Sequence, residues 1–302
     1  MIAAPSGSTH ALVVINPISG PRRHRAVDTC AALARDVLGR HGLAVQVAVT
    51  GSRGDARAFS QRAREGGAGL VVAWGGDGTI NEVGSALVGS GVALGIVPGG
   101  SGNGLARELG IPLDAAPALE VVGAGRSRHI DSGRIDDATW FFNVAGVGLD
   151  ALIARHIARP DAQRGLSGYT RITFWELPRY RSEPYRIEWS GRTEQHRALF
   201  IAFANSRQYG NGAQIAPGAR LDDGLLDLVV VDAQPLWRIV SRIPALFRGR
   251  LQPGRGLHMH AITGALITAE RPIAYHADGE PGLGGVSLRV TVEPSSLWVR
   301  VP

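Results

Sequence analysis

The stretch Leu70-Val-Val-Ala-Trp-Gly-Gly-Asp-Gly-Thr-Ile-Asn-Glu82 decides how this chain is read. Its apolar run, 70–74, has the composition of a strand buried on both faces, as in a parallel sheet covered by helices. A glycine-rich turn follows at 75–79, and the spacing beyond it predicts a helix to about position 88. Glycines at such a junction let main-chain N–H groups approach a ligand, and a helix N-terminus adds partial positive charge. The order strand, turn, helix therefore suits an anion such as a phosphate group. Asp77 could reach a magnesium ion or its waters, and Thr79 and Asn81 offer neutral donors. A single string of this kind is equally compatible with a plain strand–helix turn.

Working outward, the same alternation repeats. Residues 11–15 form an apolar run. Val27, Cys30, Ala31, Ala34, Val37 and Leu38 recur at helical spacing, with Gly42 placed to end that helix. A second strand is predicted at 43–49. A helix capped by Asp55 is predicted to run to Arg64 and to close at Gly66-Gly67. Another strand at 93–97 leads into Pro98-Gly-Gly-Ser-Gly-Asn-Gly104 and a helix to about 109. This β-α repetition predicts an α/β domain over 10–129 with a mostly parallel sheet. In such a sheet successive turns emerge at one carboxyl edge, where ligands bind. The turns 16–20, 75–79 and 98–104 should then share that edge.

Beyond about 130 the pattern changes. Strand-like runs at 140–145, 185–189, 198–204, 225–231, 264–269, 273–276, 286–292 and 297–301 are separated by turn signals. They predict a β-rich, mostly antiparallel second domain over 130–294, with 295–302 returning to the first. The clearest helical insert is 236–251.

Composition removes several classes. All 32 basic side chains are Arg and there is no Lys. A Walker-type phosphate loop and Lys-based Schiff-base chemistry are thereby excluded. The formal net charge of +6 favours anionic partners. No recognition motif supports a nucleic-acid partner. The single Cys30 excludes an internal disulfide and a cysteine zinc cage, and reads as a buried small hydrophobe on a helix. No run approaches the length of a membrane span, and 11–15 is too short for a signal-peptide core. The expectation is a cytoplasmic chain touching membranes only from outside, with no nucleic acid bound and a homodimer possible.

Two acidic turns lie in the second domain. In Asp278-Gly-Glu-Pro281, Glu280 could act as a general base, although acidic hairpins are common surface features. In Arg220-Leu-Asp-Asp-Gly-Leu225, Asp222 or Asp223 could hold magnesium, which takes carboxylate oxygens.

Together with Asn16-Pro-Ile-Ser-Gly20, Gly75 to Asn81, Val97 to Ala106, Phe142-Asn-Val-Ala-Gly-Val-Gly-Leu-Asp150 and Ala216 to Leu228, these turns resemble the diacylglycerol kinase/sphingosine kinase family in its soluble bacterial form. The resemblance runs from Val13 to the C-terminus. It implies an ATP site in the first domain, a lipid pocket in the second, and an active site in the cleft between them. It implies nucleotide contacts from Asn16, Thr50, Gly75, Gly76, Asp77, Gly78, Thr79, Ile80, Asn81 and Ser101. It places a structural magnesium near Asp223, with the carbonyls of Arg220 and Leu225, and the catalytic base at Glu280. Asp77 is the alternative base, as in sphingosine kinases.

The second turn departs from the bacterial Gly-Thr-Gly-Asn-Asp pattern at Ser101 and Gly104, which brings sphingoid or ceramide acceptors into view beside diacylglycerol. An NAD kinase-like enzyme and a non-catalytic lipid-binding module are the remaining alternatives. For membrane contact, Leu236, Ile239, Val240, Ile243 and Phe247 recur at helical spacing with Arg238, Arg242, Arg248 and Arg250 off the stripe, and 169–186 mixes aromatics with Arg. The commoner arrangement for such a helix is packing on its own domain, and Pro244 should kink it.

Overall fold

Each continuous apolar run in the first third of the chain becomes a buried strand, and each 3.6-residue pattern becomes a helix laid on it. The computed structural model describes residues 8–19, 27–158, 166–210 and 212–302. It divides into two units, Met1–Ile130 with Ser295–Pro302, and Asp131–Pro294.

The first unit runs β1 (His10–Ile15), α1 (Val27–Arg40), β2 (Ala44–Val49), α2 (Asp55–Glu65), β3 (Leu70–Gly75), α3 (Asp77–Leu87), β4 (Ala93–Pro98), α4 (Gly104–Glu108) and α5 (Ala115–Ala124). Its strands pair in parallel in the order β2-β1-β3-β4. β3 and β4 are buried at every residue, whereas the edge strand β2 has no buried residue. α1 buries Cys30, Ala31, Ala34, Val37 and Leu38, the stripe legible in the sequence. One local expectation is corrected. Gly54, in the left-handed region, caps α2, and Asp55 lies in its first turn. The Asp55 carboxylate turns back to accept the N–H groups of Gly51 and Ser52, both at 2.8 Å. Those bonds, that of Gly51 foremost, hold its carboxyl below the usual range.

β5 (Arg126–Ile135) carries the chain into the second unit. There follow β6 (Thr139–Phe141), β7 (Val144–Gly148), α6 (Leu149–Ile157), α7 (Leu166–Glu176), β8 (Glu183–Trp189), β9 (Arg192–Ala204), β10 (Gln208–Gly210), β11 (Ala213–Gln214), β12 (Leu226–Asp232), α8 (Leu236–Phe247), β13 (Leu257–Ile262), β14 (Gly264–Thr268), β15 (Ala274–Ala277), β16 (Glu280–Leu283) and β17 (Ser287–Val301). The pairings β16-β15-β7-β9-β8-β14 and β9-β12-β13 are antiparallel. β9 is covered on both faces. Ile201 and Phe203 join one core, and Ala202 and Ala204 join the other. That double coverage explains why 198–204 lacks the polar alternation of a half-exposed antiparallel strand.

Three sequence expectations are adjusted here. The run 140–145 is two strands, β6 and β7, broken at Phe142-Asn143. The runs 286–292 and 297–301 are one strand, β17. Pro294 and Ser295 read as a break, and Ser295 does take a positive φ of 49°, yet strand continues on both sides. β17 pairs antiparallel with β14 at 287–291, and Trp298 and Val299 pair in parallel with Ala93 and Leu94 of β4. The helices α5, α6 and α7 were not anticipated from the sequence.

Helix α8 ends at Phe247 and contains Pro244. Ile239, Ala245 and Leu246 rest against the second core, while Leu236, Trp237, Val240, Ile243 and Phe247 stay exposed. Of the five apolar residues in the sequence stripe, only Ile239 serves the fold. Among the described residues no helix is long and apolar enough to cross a membrane.

Candidate active site

Three turns meet at the carboxyl ends of β1, β3 and β4, held by main-chain contacts that leave no room for side chains. Gly99 N–H donates to Gly75 C=O at 2.7 Å. A Cβ on Gly100 would lie 2.6 Å from Gly76 Cα, and one on Gly99 would lie 2.9 Å from Ser19 Oγ. A Cβ on Gly75 would strike the Thr79 side chain at 2.5 Å. Gly99 and Gly100 are thus constrained by the approach of one turn to another, and Gly75 by the Thr79 side chain of its own turn. Asn16, at the end of β1, donates from Nδ2 to Thr79 Oγ1 at 2.9 Å and accepts the Ile18 N–H at 3.2 Å. The first turn is described as far as Ser19; Gly20 lies outside the described residues.

Helix α3 begins at Asp77, so Asp77, Gly78 and Thr79 form its first turn rather than a loop before it. The first N–H groups of a helix have no intrahelical acceptor, and no side chain caps α3 at Gly76. Gly76 has no side chain to occupy these donors, and the partial positive charge of a helix N-terminus favours an anion. Ile80 differs from its neighbours. Its side chain is core, and its N–H donates to Gly76 C=O at 3.0 Å. The Thr50 N–H donates to Ile15 C=O at 3.0 Å, tying the end of β2 to β1. Asn81 Oδ1 accepts from Ser85 Oγ at 3.4 Å, and Ser101 is exposed on the second turn.

Asp77 carries the link between the two glycine turns. Its carboxylate accepts the N–H of Asn103 at 2.9 Å and of Gly104 at 2.8 Å. Hydrogen bonds of this charge-assisted kind are about twice as strong as neutral ones. Asn103 is in the left-handed region and closes the turn on itself, accepting the Gly100 N–H and donating to Gly100 C=O, both at 2.9 Å. Because the contact at position 104 is made by the main chain, the unusual Gly104 loses nothing there.

In the second unit, Asp278 rather than Glu280 holds the Asp-Gly-Glu-Pro turn. With φ of 50°, its carboxylate accepts the N–H groups of Phe142, Asn143 and Val144 at 2.8, 2.8 and 3.2 Å. This anchors the turn to the Phe142–Asp150 motif. A second anchor is the buried pair His276–Asp150, whose Nε2 and Oδ2 are hydrogen-bonded. Burial lowers the His276 pKa, but the charge and hydrogen bond of Asp150 outweigh it and the net shift is upward. Gly279 N–H donates to Nδ1 at 3.3 Å. Glu280 then opens β16, half-buried, one residue beyond. Neither Asp278 nor His276 was assigned a role from sequence. The Asp150 partner is 126 positions from His276, a separation no local pattern reports.

The Arg220–Leu225 turn is fixed by Asp131, which is buried and accepts the Gly224 N–H at 2.7 Å. Asp223 Oδ1 accepts the Leu225 N–H at 3.0 Å, and the Arg220 guanidinium meets Asp222 at 3.5 Å. Burial, and then the negative charge of Asp223, push the Asp227 carboxyl up to about 6. Asp223 on this turn and Asp227 at the start of β12 offer carboxylate oxygens, the ligand type a hard divalent cation takes.

The first unit thus presents touching glycine turns at the ends of its parallel strands, and the second presents two acidic turns held by main-chain N–H groups. Residues 10–135 match the diacylglycerol kinase catalytic domain, and residues 143–301 match the YegS C-terminal NAD kinase beta sandwich-like domain. A Klebsiella pneumoniae protein named "Probable lipid kinase YegS-like" is 36% identical over 278 residues, covering 89% of this chain and 90% of the relative. A Cronobacter sakazakii protein of the same name is 35% identical over 275 residues, covering 86% and 87%. Two solved Bacillus anthracis structures share the fold. One, titled a diacylglycerol kinase, has a TM-score of 0.73 at 18% identity and covers 98% of both chains. The other has a TM-score of 0.81 at 20% identity, covering 97% of this chain and 98% of its own. The chain belongs to the YegS-like lipid kinase family, which joins these two domains.

Proposed function

We propose that this chain transfers the γ-phosphoryl group of ATP to a hydroxyl of diacylglycerol or a related lipid. The observation that carries the reading is the uncapped N-terminus of α3, framed by two glycine turns that Asp77 locks together. Phosphoryl transfer needs positioning and charge neutralisation more than covalent help. In this reading the main chain of Gly75 to Thr79 holds the nucleotide phosphates, with Asn16, Asn81 and Ser101 adding neutral contacts. Glu280 takes the proton of the lipid hydroxyl. Asp77 is the poorer base, since its carboxylate already serves two N–H groups. Magnesium, when bound, supplies positive charge; Asp223 with the carbonyls of Arg220 and Leu225 would hold it.

Contact with the lipid surface falls to α8 and α7. Leu236, Trp237, Val240, Ile243 and Phe247 are each 45–67% exposed, and Phe174 and Trp175 on α7 are 74% and 57% exposed. Arg248 and Arg250 sit beside the α8 group, the combination that seats a helix on anionic headgroups. The test is incubation with γ-labelled ATP and a panel of diacylglycerol, sphingoid base, ceramide, NAD and a sugar phosphate. Label in diacylglycerol is the expected outcome. Label in sphingoid base or ceramide alone moves the acceptor to that class, and label only in NAD or sugar overturns the reading.

A further inference from the structure

Strands β9, β12 and β13 lie side by side in the second unit and gather a cluster that phosphoryl transfer does not use. His196 projects from β9, Asp232 from the end of β12 and His258 from β13. A register shift between Val231 and Asp232 sets Asp232 opposite Ala198, while Val230 pairs with His258. Irregularities of this kind re-aim a side chain, and here Asp232 ends between the two imidazoles. His196 Nδ1 is 2.9 Å from Asp232 Oδ1, and His258 Nε2 is 2.8 Å from Asp232 Oδ2. One ligand atom from each residue lies within 4.8 Å of the other two. The side chains of His196, Asp232 and His258 are 9%, 27% and 37% exposed. The group is therefore sheltered at its root and open at one side.

Glu194 gives the cluster its chemical direction. Its Oε2 is 3.0 Å from His196 Nε2. A proton on Nε2 shared with that carboxylate leaves the Nδ1 lone pair turned toward Asp232. Metal-binding histidines are oriented in just this way, by a carboxylate on the ring nitrogen away from the metal. Two imidazoles and one carboxylate match zinc sites that keep a fourth position for water. They are a poor set for magnesium, which prefers oxygen ligands throughout. Tetrahedral zinc with bonds of roughly 2.0–2.2 Å separates its ligand atoms by about 3.4 Å, so the His–Asp contacts of 2.9 and 2.8 Å would open by about 0.5 Å to admit it.

We propose that His196, Asp232 and His258 form a binding site for a zinc-class divalent cation, with Glu194 as the positioning residue, pinning the three strands together. The site is separate in sequence and in donor chemistry from the Asp223 turn. It stands whether or not the chain phosphorylates a lipid.

The experiment uses the full chain stripped with chelator and titrated with zinc by calorimetry, and with cobalt by visible absorption. One saturable equivalent is expected, with the intense bands of low-coordinate cobalt and a raised unfolding temperature. Glu194→Gln should weaken zinc binding by about 10- to 100-fold, and His258→Ala or Asp232→Asn should remove the cobalt bands. His258→Gln serves if the alanine variant unfolds in chelator. His41→Ala, a histidine of the first unit, should leave zinc affinity and the cobalt bands unchanged. Equal zinc affinity in the wild type and both His258 variants, or no saturable equivalent, overturns the proposal and leaves a metal-free His–Asp–His hydrogen-bond network.

Discussion

Gly100 and Gly218 are both glycines on turns, yet only one is constrained. A Cβ at Gly100 would lie 2.6 Å from the Gly76 backbone and 3.0 Å from Asn103 Oδ1, whereas one at Gly218 meets nothing within 4 Å. Backbone cannot rotate away as a side chain can, so Gly100→Ala should cost about 1–3 kcal/mol. Gly218→Ala, with no positive φ to lose, should stay within about 0.5 kcal/mol. Urea unfolding of the two variants checks the difference, and equal midpoints would contradict the turn-to-turn contact. The glycine strings were conspicuous in the sequence. What no string reports is the partner: the contact between Gly76 and Gly100 and the bridge from Asp77 to Asn103 and Gly104 join positions 24 to 27 apart. Asp77, read from sequence as a chemical group, and Asp278, which was given no role there, both accept main-chain N–H groups.

At the scale of an element, α8 shows what periodicity can and cannot establish. The apolar stripe predicted a helix and the helix is there. The stripe alone does not say which apolar face is covered, because both a domain and a membrane would cover it. The structure assigns Ile239, Ala245 and Leu246 to the domain and leaves five large apolar side chains exposed. Arg242, which lay off the stripe with the other arginines, is held by Arg255 C=O at 2.7 Å, so it is a fold contact. Arg248 and Arg250 are the better probes. Each basic residue near an anionic surface contributes about 1 kcal/mol, so the double Arg→Gln variant should lower co-sedimentation with anionic vesicles about tenfold or more. Neutral vesicles should show little change. Binding that ignores both the arginines and vesicle charge would remove α8 as the contact.

For the whole molecule, the two units differed in how much the sequence disclosed. The first is written in local patterns: strands buried on both faces, helices with one apolar stripe, turns of glycine. Its parallel sense follows from the β-α alternation, whereas the strand order β2-β1-β3-β4 does not. The second depends on distant pairings. β9 serves as partner to β7, β8 and β12, β17 continues through a Pro-Ser sequence that reads as a turn, and His276 meets Asp150 across 126 positions. Most of the longer strand runs were legible there, but β13 and the short strands β10, β11 and β16 were not, nor were the buried polar contacts that hold the acidic turns. The part of the 169–186 segment that includes the Tyr169 side chain lies outside the described residues, so the aromatic–Arg mixture there is represented by Phe174, Trp175 and Arg179.

The central claim is transfer of phosphate from nucleotide to lipid with Glu280 as base. It is tested most directly by following label from γ-labelled ATP into solvent-extractable lipid, for the wild type and Glu280→Gln side by side. Labelled lipid from the wild type, and a rate about 10²- to 10⁴-fold lower for Glu280→Gln at an unchanged unfolding temperature, is the predicted result. Label that never enters the lipid phase, or a Glu280→Gln rate equal to the wild type, would contradict it.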